Sequence, residues 1–144
     1  MASMGDETKA KAFDLFGKIF LLNNRLQYIM DKELQKDQLT TKQFLVIATI
    51  EKLFDRPPSL KEVAYALSTS HQNAKQIASQ LERKGFIAME KDPDDRRVTR
   101  LKVTEKNRRY WDSRADEHER ILLSLFDSLG EEEIHGLNSL SRSF

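Results

Sequence analysis

The sequence predicts a mainly helical protein of the α+β class, in which one small β-hairpin follows a pair of short helices. Apolar side chains recur at helical spacing across residues 60–81, with a polar break in the middle of that stretch. Residues 86–89 and 100–104 have the composition of short strands, and the charged, turn-rich stretch between them predicts a hairpin. Amphipathic runs at 7–36 and 105–128 add longer helices on both sides.

The first long run, residues 7–36, carries apolar side chains on two faces of one predicted helix. One stripe contains Phe13, Phe16 and Phe20, and the other contains Leu15, Ile19, Leu22, Leu26 and Ile29. A helix that is apolar on two faces must be covered on both. Because so short a chain has few elements to do this, we expect a second subunit to cover one face. The alternative is that both stripes pack within one chain.

The next helix is predicted to begin at residues 39–41, with Thr40 or Thr41 as the N-cap, and to run to about Phe54. Its expected buried side chains are Phe44, Ile47, Ala48 and Ile50. For the phenylalanines of both helices, core packing is the expectation, ahead of lining a ligand pocket. The prolines at 57 and 58 end the helical pattern, because proline cannot continue a helix, and favour a short extended segment.

Residues 60–81 predict two short helices that cross at an angle. Their buried faces contain Leu60, Val63, Ala64 and Leu67 in the first helix, and Ala74, Ile77, Ala78 and Leu81 in the second. Ser68 and Thr69 interrupt the pattern, Ser70 is a good N-cap for the second helix, and Gly85 ends it. Two helices joined by a tight turn form a helix-turn-helix, whose second helix can lie in the major groove of DNA.

A hairpin follows directly. Its first strand is predicted from Phe86, Ile87 and Met89, and in its second strand Leu101 and Val103 alternate with Arg100, Lys102 and Thr104. The connection at 91–97, with the sequence Lys-Asp-Pro-Asp-Asp-Arg-Arg, is charged and rich in turn-forming residues. A helix-turn-helix followed by such a hairpin is a winged helix.

The remaining chain predicts two C-terminal helices. The first covers about 105–128, Gly130 separates it from the second, and the second spans 131–140 with Ile134, Leu137 and Leu140 on one face. The sequence therefore divides into an N-terminal dimerisation helix (1–36), a winged helix-turn-helix region (37–104) and C-terminal dimerisation helices (105–144). We expect these three parts to form one continuous body.

Composition restricts the class of protein. The 144-residue chain has no cysteine, which excludes a disulfide framework, thiolate catalysis and sensing by cysteine oxidation. No stretch could cross a bilayer and no signal peptide is visible, so a cytoplasmic location is expected. Net charge is +1, yet residues 59–109 hold 12 basic and 7 acidic side chains. A basic segment in an otherwise acidic chain is the electrostatic pattern that phosphate binding needs; the alternative is an ordinary solvated surface.

Three segments carry a resemblance to a known family. Leu-Lys-Glu-Val-Ala at 60–64, Leu-Glu-Arg-Lys-Gly-Phe-Ile at 81–87 and Asp-Pro-Asp-Asp-Arg-Arg at 92–97, running into Leu101 and Thr104, resemble the MarR family of transcriptional regulators. The resemblance implies a homodimer on a pseudo-palindromic duplex. It also implies a small aromatic or phenolic effector, bound between the DNA-binding region and the dimer helices. The chain departs from the family pattern at Pro57 and Pro58, where a glycine-containing turn is common, and at Asn107, where a glycine is usual.

The candidate DNA-binding residues form two groups. Those at the start of the second helix of the helix-turn-helix are Ser70, His71, Gln72, Asn73, Lys75 and Gln76. Gln and Asn can bond an adenine edge with two hydrogen bonds, worth about 1–3 kcal/mol of discrimination each. The alternative is that about half of these side chains only solvate the helix.

The second group lies in the wing and consists of Lys91, Asp95, Arg96, Arg97 and Arg100. Arg96 and Arg97 follow the hairpin tip, where an arginine can enter a narrow, A·T-rich minor groove. Lys91 and Arg100 are expected to flank the DNA backbone. By the family resemblance, Arg97 is the inserting residue and Asp95 orients its guanidinium. The alternative is that this ion pair only shapes the wing.

These observations predict a sequence-specific DNA-binding transcriptional regulator, a homodimeric repressor released by a small-molecule effector. The alternative is an effector-independent architectural DNA-binding module, or a winged helix that binds protein. An enzyme is not expected, because the chain has no glycine-rich phosphate loop, nucleophile elbow or metal-binding helix motif. We expect no cofactor and no metal: the three histidines are not paired at helical spacing, and the acidic stretch 116–119 is expected to be a solvated helix face.

Overall fold

The computed structural model describes residues 3–143 and has six helices and one two-stranded antiparallel sheet in that range. This architecture confirms the predicted fold class. In chain order the elements are α1 (Asp6–Gln35), α2 (Thr41–Lys52), α3 (Leu60–Ala66), α4 (His71–Arg83), β1 (Ile87–Lys91), β2 (Thr99–Val103), α5 (Glu105–Ser124) and α6 (Glu131–Ser141). The chain divides into two units, the first ending at Val103 and the second beginning at Thr104.

The long helix α1 contacts its own unit near its C-terminal end. Leu34 is buried there, and the Asp31 carboxylate accepts hydrogen bonds from the N–H and the hydroxyl of Thr41, at 2.7 and 2.8 Å. Farther from this end, side chains of both predicted stripes are exposed, including Phe13 (78%) and Phe16 (64%).

One expectation for α1 is therefore wrong: its phenylalanines do not pack in a core of the chain, since Phe13, Phe16 and Phe20 are all exposed. The alternative that both stripes pack within one chain is also contradicted, because α2 meets only the last turns of α1. Cover by a second subunit stays a prediction. The structure thus leaves an apolar face of α1 uncovered, which we define by Phe13, Phe16, Ile19, Phe20 and Leu22.

Helix α2 begins where the sequence predicts. The Thr40 hydroxyl accepts a hydrogen bond from the Gln43 N–H, and the Gln43 side chain in return accepts one from the Thr40 N–H, at 3.2 Å each. The buried face of the helix contains Thr41, Gln43, Val46, Ile47, Thr49 and Ile50. Phe44 and Ala48 were expected in this core but are only half-buried. The helix is rotated relative to the prediction because its Gln43 side faces α4, where the Gln43 amide donates to Gln80 at 3.0 Å.

Helices α3 and α4 form the predicted helix-turn-helix. Ser68, in the turn between them, has a φ of 50°, and Gly85, after α4, has a φ of 82°. The Ser70 hydroxyl accepts a hydrogen bond from the Asn73 N–H at 3.1 Å, which confirms Ser70 as the N-cap of α4. Both helices pack on α2, and the fully buried side chains of this core include Val46, Ile47, Val63, Ala78, Leu81 and Leu101.

The hairpin of β1 and β2 pairs with Ile87 opposite Val103. A third segment joins it, because the Leu101 N–H donates to the Pro58 carbonyl at 2.9 Å and Ser59 forms a bridge with Arg100. An extended segment after α2 was anticipated, although α2 ends two residues earlier than predicted. The pairing of that segment with β2 was not anticipated. It fixes the base of the wing against the start of α3.

The second unit begins at Thr104. The alternating pattern predicts this residue as part of the second strand, but in the structure it is the N-cap of α5. Its hydroxyl accepts the Asn107 N–H at 3.2 Å. Asn107, at the position where a glycine is usual in the family it resembles, is buried. Its side-chain Oδ1 accepts a hydrogen bond from the indole N–H of Trp111 at 2.9 Å. The Trp111 ring lies 4.8 Å from the ring of His118. Helix α5 ends four residues earlier than predicted, whereas α6 confirms its predicted range to within a residue.

Candidate nucleic-acid interface

Helix α4 presents a polar face opposite its buried stripe. Ala74, Ile77, Ala78 and Leu81 are buried, while the exposed side chains include His71, Gln72, Lys75 and Gln76. The N-cap Ser70 is also exposed. The structure therefore brings five of the six predicted residues of this group to the surface near the start of α4. Polar side chains in this position are the ones that can meet base edges in a major groove.

Asn73 is the sixth member, and it is only half-buried. Its side-chain amide donates a hydrogen bond to the Thr69 hydroxyl at 2.7 Å, and its backbone N–H donates one to the hydroxyl of the N-cap Ser70. Asn73 therefore ties α4 to the turn that precedes it. The half-buried Ser79 and the exposed Arg83 lie one and two turns beyond Gln76 on α4, at a spacing that continues the same face.

The wing tip holds Arg97 in a defined orientation. Its Nε and Nη2 donate to the two carboxylate oxygens of Asp95, at 3.0 Å each, and its backbone N–H donates to the same carboxylate at 3.0 Å. The hydrogen bonds from the Arg97 side chain and backbone hold the pKa of Asp95 below its usual value. The Arg97 side chain nevertheless remains 92% exposed. It thus presents a charged, preoriented group to solvent.

Three other wing residues differ in their surroundings. Arg96 is exposed, as expected for a side chain near the tip. Lys91 is exposed at the end of β1, where its ammonium donates to the Thr99 hydroxyl at 3.3 Å. Arg100 is instead half-buried at the base of the wing, and its side chain is only 27% exposed. The predicted wing residues therefore do not form one uniform surface.

Arg100 belongs to a group of charged side chains that joins the wing to α3. Its Nε donates to Asp92 at 2.8 Å, and its Nη1 donates to Glu62 at 3.3 Å. The Arg56 guanidinium also bonds Glu62, at 2.7 and 3.4 Å. Hydrogen bonds from Arg56 and from the Ser59 N–H lower the pKa of Glu62 to about 2, and those from Arg100 and two backbone N–H groups lower the pKa of Asp92 to about 2.

A second polar group anchors the other end of α4. The Gln43 amide donates to the Gln80 side chain, and the Lys84 ammonium donates to Gln43 at 3.1 Å and to the backbone carbonyl of Gln38. Gln43 is 5% exposed. A buried polar group that is fully hydrogen-bonded fixes the relative position of the elements that carry it. This group was not predicted, because its members are distant in sequence.

The surface of α3 adds an aromatic side chain that sequence analysis missed. Tyr65 is 88% exposed, one helical turn from the exposed Lys61. Within residues 3–143, no group of three or more His, Cys, Asp and Glu side chains is arranged to hold a metal ion. Over the same range, none of the helices has the length and apolar content that crossing a membrane requires.

Comparison with known proteins agrees with this geometry. The model described as the MarR family matches residues 39–99. The chain is 28% identical over 122 residues to the transcriptional repressor MprA of Escherichia coli, covering 85% of this chain and 66% of that repressor. It is also 30% identical over 87 residues to YkoM of Bacillus subtilis, an uncharacterised HTH-type transcriptional regulator, covering 60% of this chain and 56% of YkoM. The chain thus spans less than two thirds of the length of either relative.

Solved structures share the fold at lower identity. A mutant MarR from E. coli, solved in complex with operator DNA, superposes with a TM-score of 0.78 at 19% identity, over 92% of this chain and 94% of that chain. MepR of S. aureus, also solved with DNA, gives a TM-score of 0.75 at 17% identity, over 89% and 94% of the two chains. The family match runs from just before α2 to Thr99, the first residue of β2, and so covers the helix-turn-helix and the wing tip of the candidate interface. Residues 39–99 of this chain form a MarR-family domain.

Proposed function

We propose that this chain is a sequence-specific DNA-binding transcriptional regulator, a homodimeric repressor that acts on a pseudo-palindromic operator. The observation that carries the proposal is the wing tip, where Asp95 holds Arg97 by two side-chain hydrogen bonds while Arg97 stays exposed. A preoriented arginine loses little conformational freedom on entering a narrow minor groove, whose negative potential attracts it. The proposal assigns the chain no catalytic activity.

The polar face of α4 supplies the second contact. Gln72 and Gln76 are one helical turn apart on it, and Lys75 lies beside them. In a major groove, the glutamines would bond adenine edges and the lysine a guanine edge or a phosphate. Ser70 would cap the helix and bond a phosphate through its hydroxyl. Two proteins of the same fold were solved in complex with DNA, which supports a DNA-binding role for this chain.

A dimer is proposed because the apolar face of α1 is uncovered. Phe16 and Phe20 stack edge to face at 5.1 Å between ring centroids, yet both remain exposed. A contiguous apolar surface of this kind marks a protein interface. A second copy of the chain would cover it and set two DNA-binding regions about 34–36 Å apart, which matches half-sites one helical turn apart.

Release by a small effector is proposed from a cavity beside the helix-turn-helix. The cavity has a volume of about 230 Å³ and lies among Gln27 of α1, Lys42 and Leu45 of α2, and Ser68 and Thr69 of the turn before α4. This volume suits a single-ring molecule, and the Lys42 ammonium would pair with a carboxylate or phenolate. A ligand bound here changes DNA affinity only if it favours one position of α4 over another.

The effector proposal is tested by thermal denaturation in the presence of benzoate or phenol. We expect benzoate to raise the Tm of the wild type and to lower its affinity for operator DNA. Lys42→Met should lose both effects because the cationic partner is gone. Equal responses of the wild type and Lys42→Met would remove this cavity from the mechanism.

The DNA-binding proposal is tested by selecting bound duplexes from a random pool with the purified protein at moderate salt. An inverted repeat with half-sites about 10 base pairs apart is the expected result. Salt-sensitive binding without enrichment would indicate an architectural DNA-binding protein instead. Absence of binding, with or without cell extract, would refute the proposal.

The same selection tests the assignment of α4. Gln72→Ala should enrich a different consensus while its non-specific affinity stays close to that of the wild type, because base contacts carry sequence information and phosphate contacts do not. Lys52→Ala, at an exposed position on α2, is the matched control and should enrich the wild-type consensus. An unchanged consensus with Gln72→Ala would show that another face of α4 meets the bases.

A further inference from the structure

Arg100 occupies a central and rigid position at the base of the wing. Its backbone lies opposite Glu90 of β1 on one side and forms a bridge with Ser59 on the other. The next residue, Leu101, is buried and donates its N–H to the Pro58 carbonyl. The Arg100 side chain therefore starts from a backbone that is held by chain segments on both sides.

The Arg100 guanidinium is directed at protein carboxylates. Its Nε bonds Asp92 at 2.8 Å and its Nη1 bonds Glu62 at 3.3 Å, so the planar group spans one carboxylate of the wing and one of α3. The side chain is 27% exposed, against 92% for Arg97. Asp92 and Glu62 together balance the charges of Arg100 and Arg56, so little of the field of Arg100 is left to attract a phosphate.

Asp92 carries this connection onward to the wing tip. Its second oxygen accepts the N–H groups of Asp94 and Asp95, at 2.8 and 3.0 Å, and these bonds fix the turn that leads to the tip. The Asp95 carboxylate then holds Arg97. A continuous series of charge-assisted hydrogen bonds thus runs from α3 through Arg100 to Arg97. The lowered pKa of Asp92 fits this arrangement, since the bonds stabilise its charged form.

We propose that Arg100 is a positioning residue, which fixes the wing tip, and with it Arg97, relative to α3, and does not itself contact DNA. This inference rests on the proposed function, because it concerns how Arg97 reaches the minor groove. It replaces the expectation that Arg100 flanks the DNA backbone. Without the guanidinium of Arg100, which bonds both Asp92 and Glu62, the hairpin tip loses its side-chain link to α3. Arg97 then no longer meets the groove at a defined angle.

The test compares Arg100→Lys with Arg97→Ala in competition binding to operators with A·T-rich or G·C-rich flanks at fixed salt. Lysine keeps the positive charge but lacks the planar fork that spans two carboxylates. We expect Arg100→Lys to lose the A·T preference as fully as Arg97→Ala does, a change of about tenfold or more. We also expect the double variant to match Arg97→Ala within about twofold, because both changes act on one contact.

Two further variants separate positioning from general damage to the wing. Asp92→Asn cuts the same series of bonds from the other side and should reproduce the loss of flank preference. Lys102→Gln is the matched control: this exposed cation on β2 pairs with Glu90 at 2.7 Å, outside the series, and should leave flank preference unchanged. Urea denaturation of each variant identifies any that fail to fold, and the comparison is made among the folded ones.

A contact with phosphate would give the opposite pattern. Arg100→Lys would then keep the wild-type flank preference, and Arg100→Gln would weaken binding equally on all sequences while lowering the slope of log K against log salt by about one. That result overturns the positioning role and leaves the proposed function standing. If the wild type itself selects no sequence, the proposed function fails instead.

Discussion

The apolar face of α1 makes a quantitative prediction for Phe16→Ala. In the isolated chain the Phe16 ring contacts Phe20 but is otherwise largely in solvent, so its removal should hardly change the free energy of unfolding of the monomer. If a second subunit covers this face, the same removal should weaken the dimer strongly. The substitution therefore separates association from folding, since alanine also favours the helix.

The magnitude follows from the exposed area. A phenylalanine has about 200 Å² of surface, of which 64% is exposed at Phe16, leaving about 130 Å² for an interface. At about 25 cal/mol per Å², burial of this area contributes about 3 kcal/mol. A two-fold interface contains two copies of the residue, and alanine retains part of the area, so a loss of about 4 kcal/mol remains. The Kd of the dimer should rise about a thousandfold.

Sedimentation velocity over a range of protein concentrations measures this Kd. Tyr65→Ala is the matched control, because Tyr65 is 88% exposed but lies on α3, outside the apolar face of α1. Its dimer should be as stable as that of the wild type. Equal dissociation constants for Phe16→Ala and the wild type would refute the assignment of this face, and a wild type that is monomeric throughout would refute the dimer.

Three further predictions concern the DNA-binding unit. Arg97→Ala should weaken binding to A·T-flanked operators about tenfold or more and to G·C-flanked ones less; an equal loss on both contradicts a minor-groove role. Ser68→Gly should raise the free energy of unfolding in urea by about 0.5–1 kcal/mol, because a φ of 50° strains serine but not glycine; a decrease would contradict this. Glu62 and Asp92 have a pKa of about 2 when folded, against ordinary values of 4.5 and 3.8, so the unfolded chain takes up protons first as the pH falls. The stabilisation of the folded state by these two charged carboxylates is complete above about pH 4.5 and should be lost as the pH falls toward 2. Between pH 6, 4 and 3, the urea midpoint of Glu62→Gln should therefore fall less than that of the wild type.

The features that sequence predicted well are local ones. The N-cap at Ser70 and the end of α4 at Gly85 depend on the preferences of a few neighbouring residues, and the structure confirms both. The ion pair of Asp95 and Arg97 is also local, since its partners are two positions apart in the chain. Its geometry matches the expectation, while its role on DNA stays a prediction.

The features that sequence missed depend on partners distant in the chain. Arg100 and Glu62 are 38 residues apart, and nothing in the local pattern of β2 distinguishes a side chain that faces a carboxylate from one that faces DNA. The burial of Gln43 likewise depends on Gln80 of α4, 37 residues away. Periodicity identified two apolar stripes on α1. It could not show that both stripes are exposed along the first turns of this helix.

The hydrogen bond between Asn107 and Trp111 gives the protein an internal optical reporter. The chain has one tryptophan, so its near-ultraviolet emission comes from a single indole whose N–H is bonded and whose ring lies beside His118. This tryptophan belongs to the unit that begins at Thr104. A fluorescent label on the wing that emits at a different wavelength would therefore report separately on the other unit. With no cysteine in the chain, one introduced beside the wing tip would carry that label without a competing thiol.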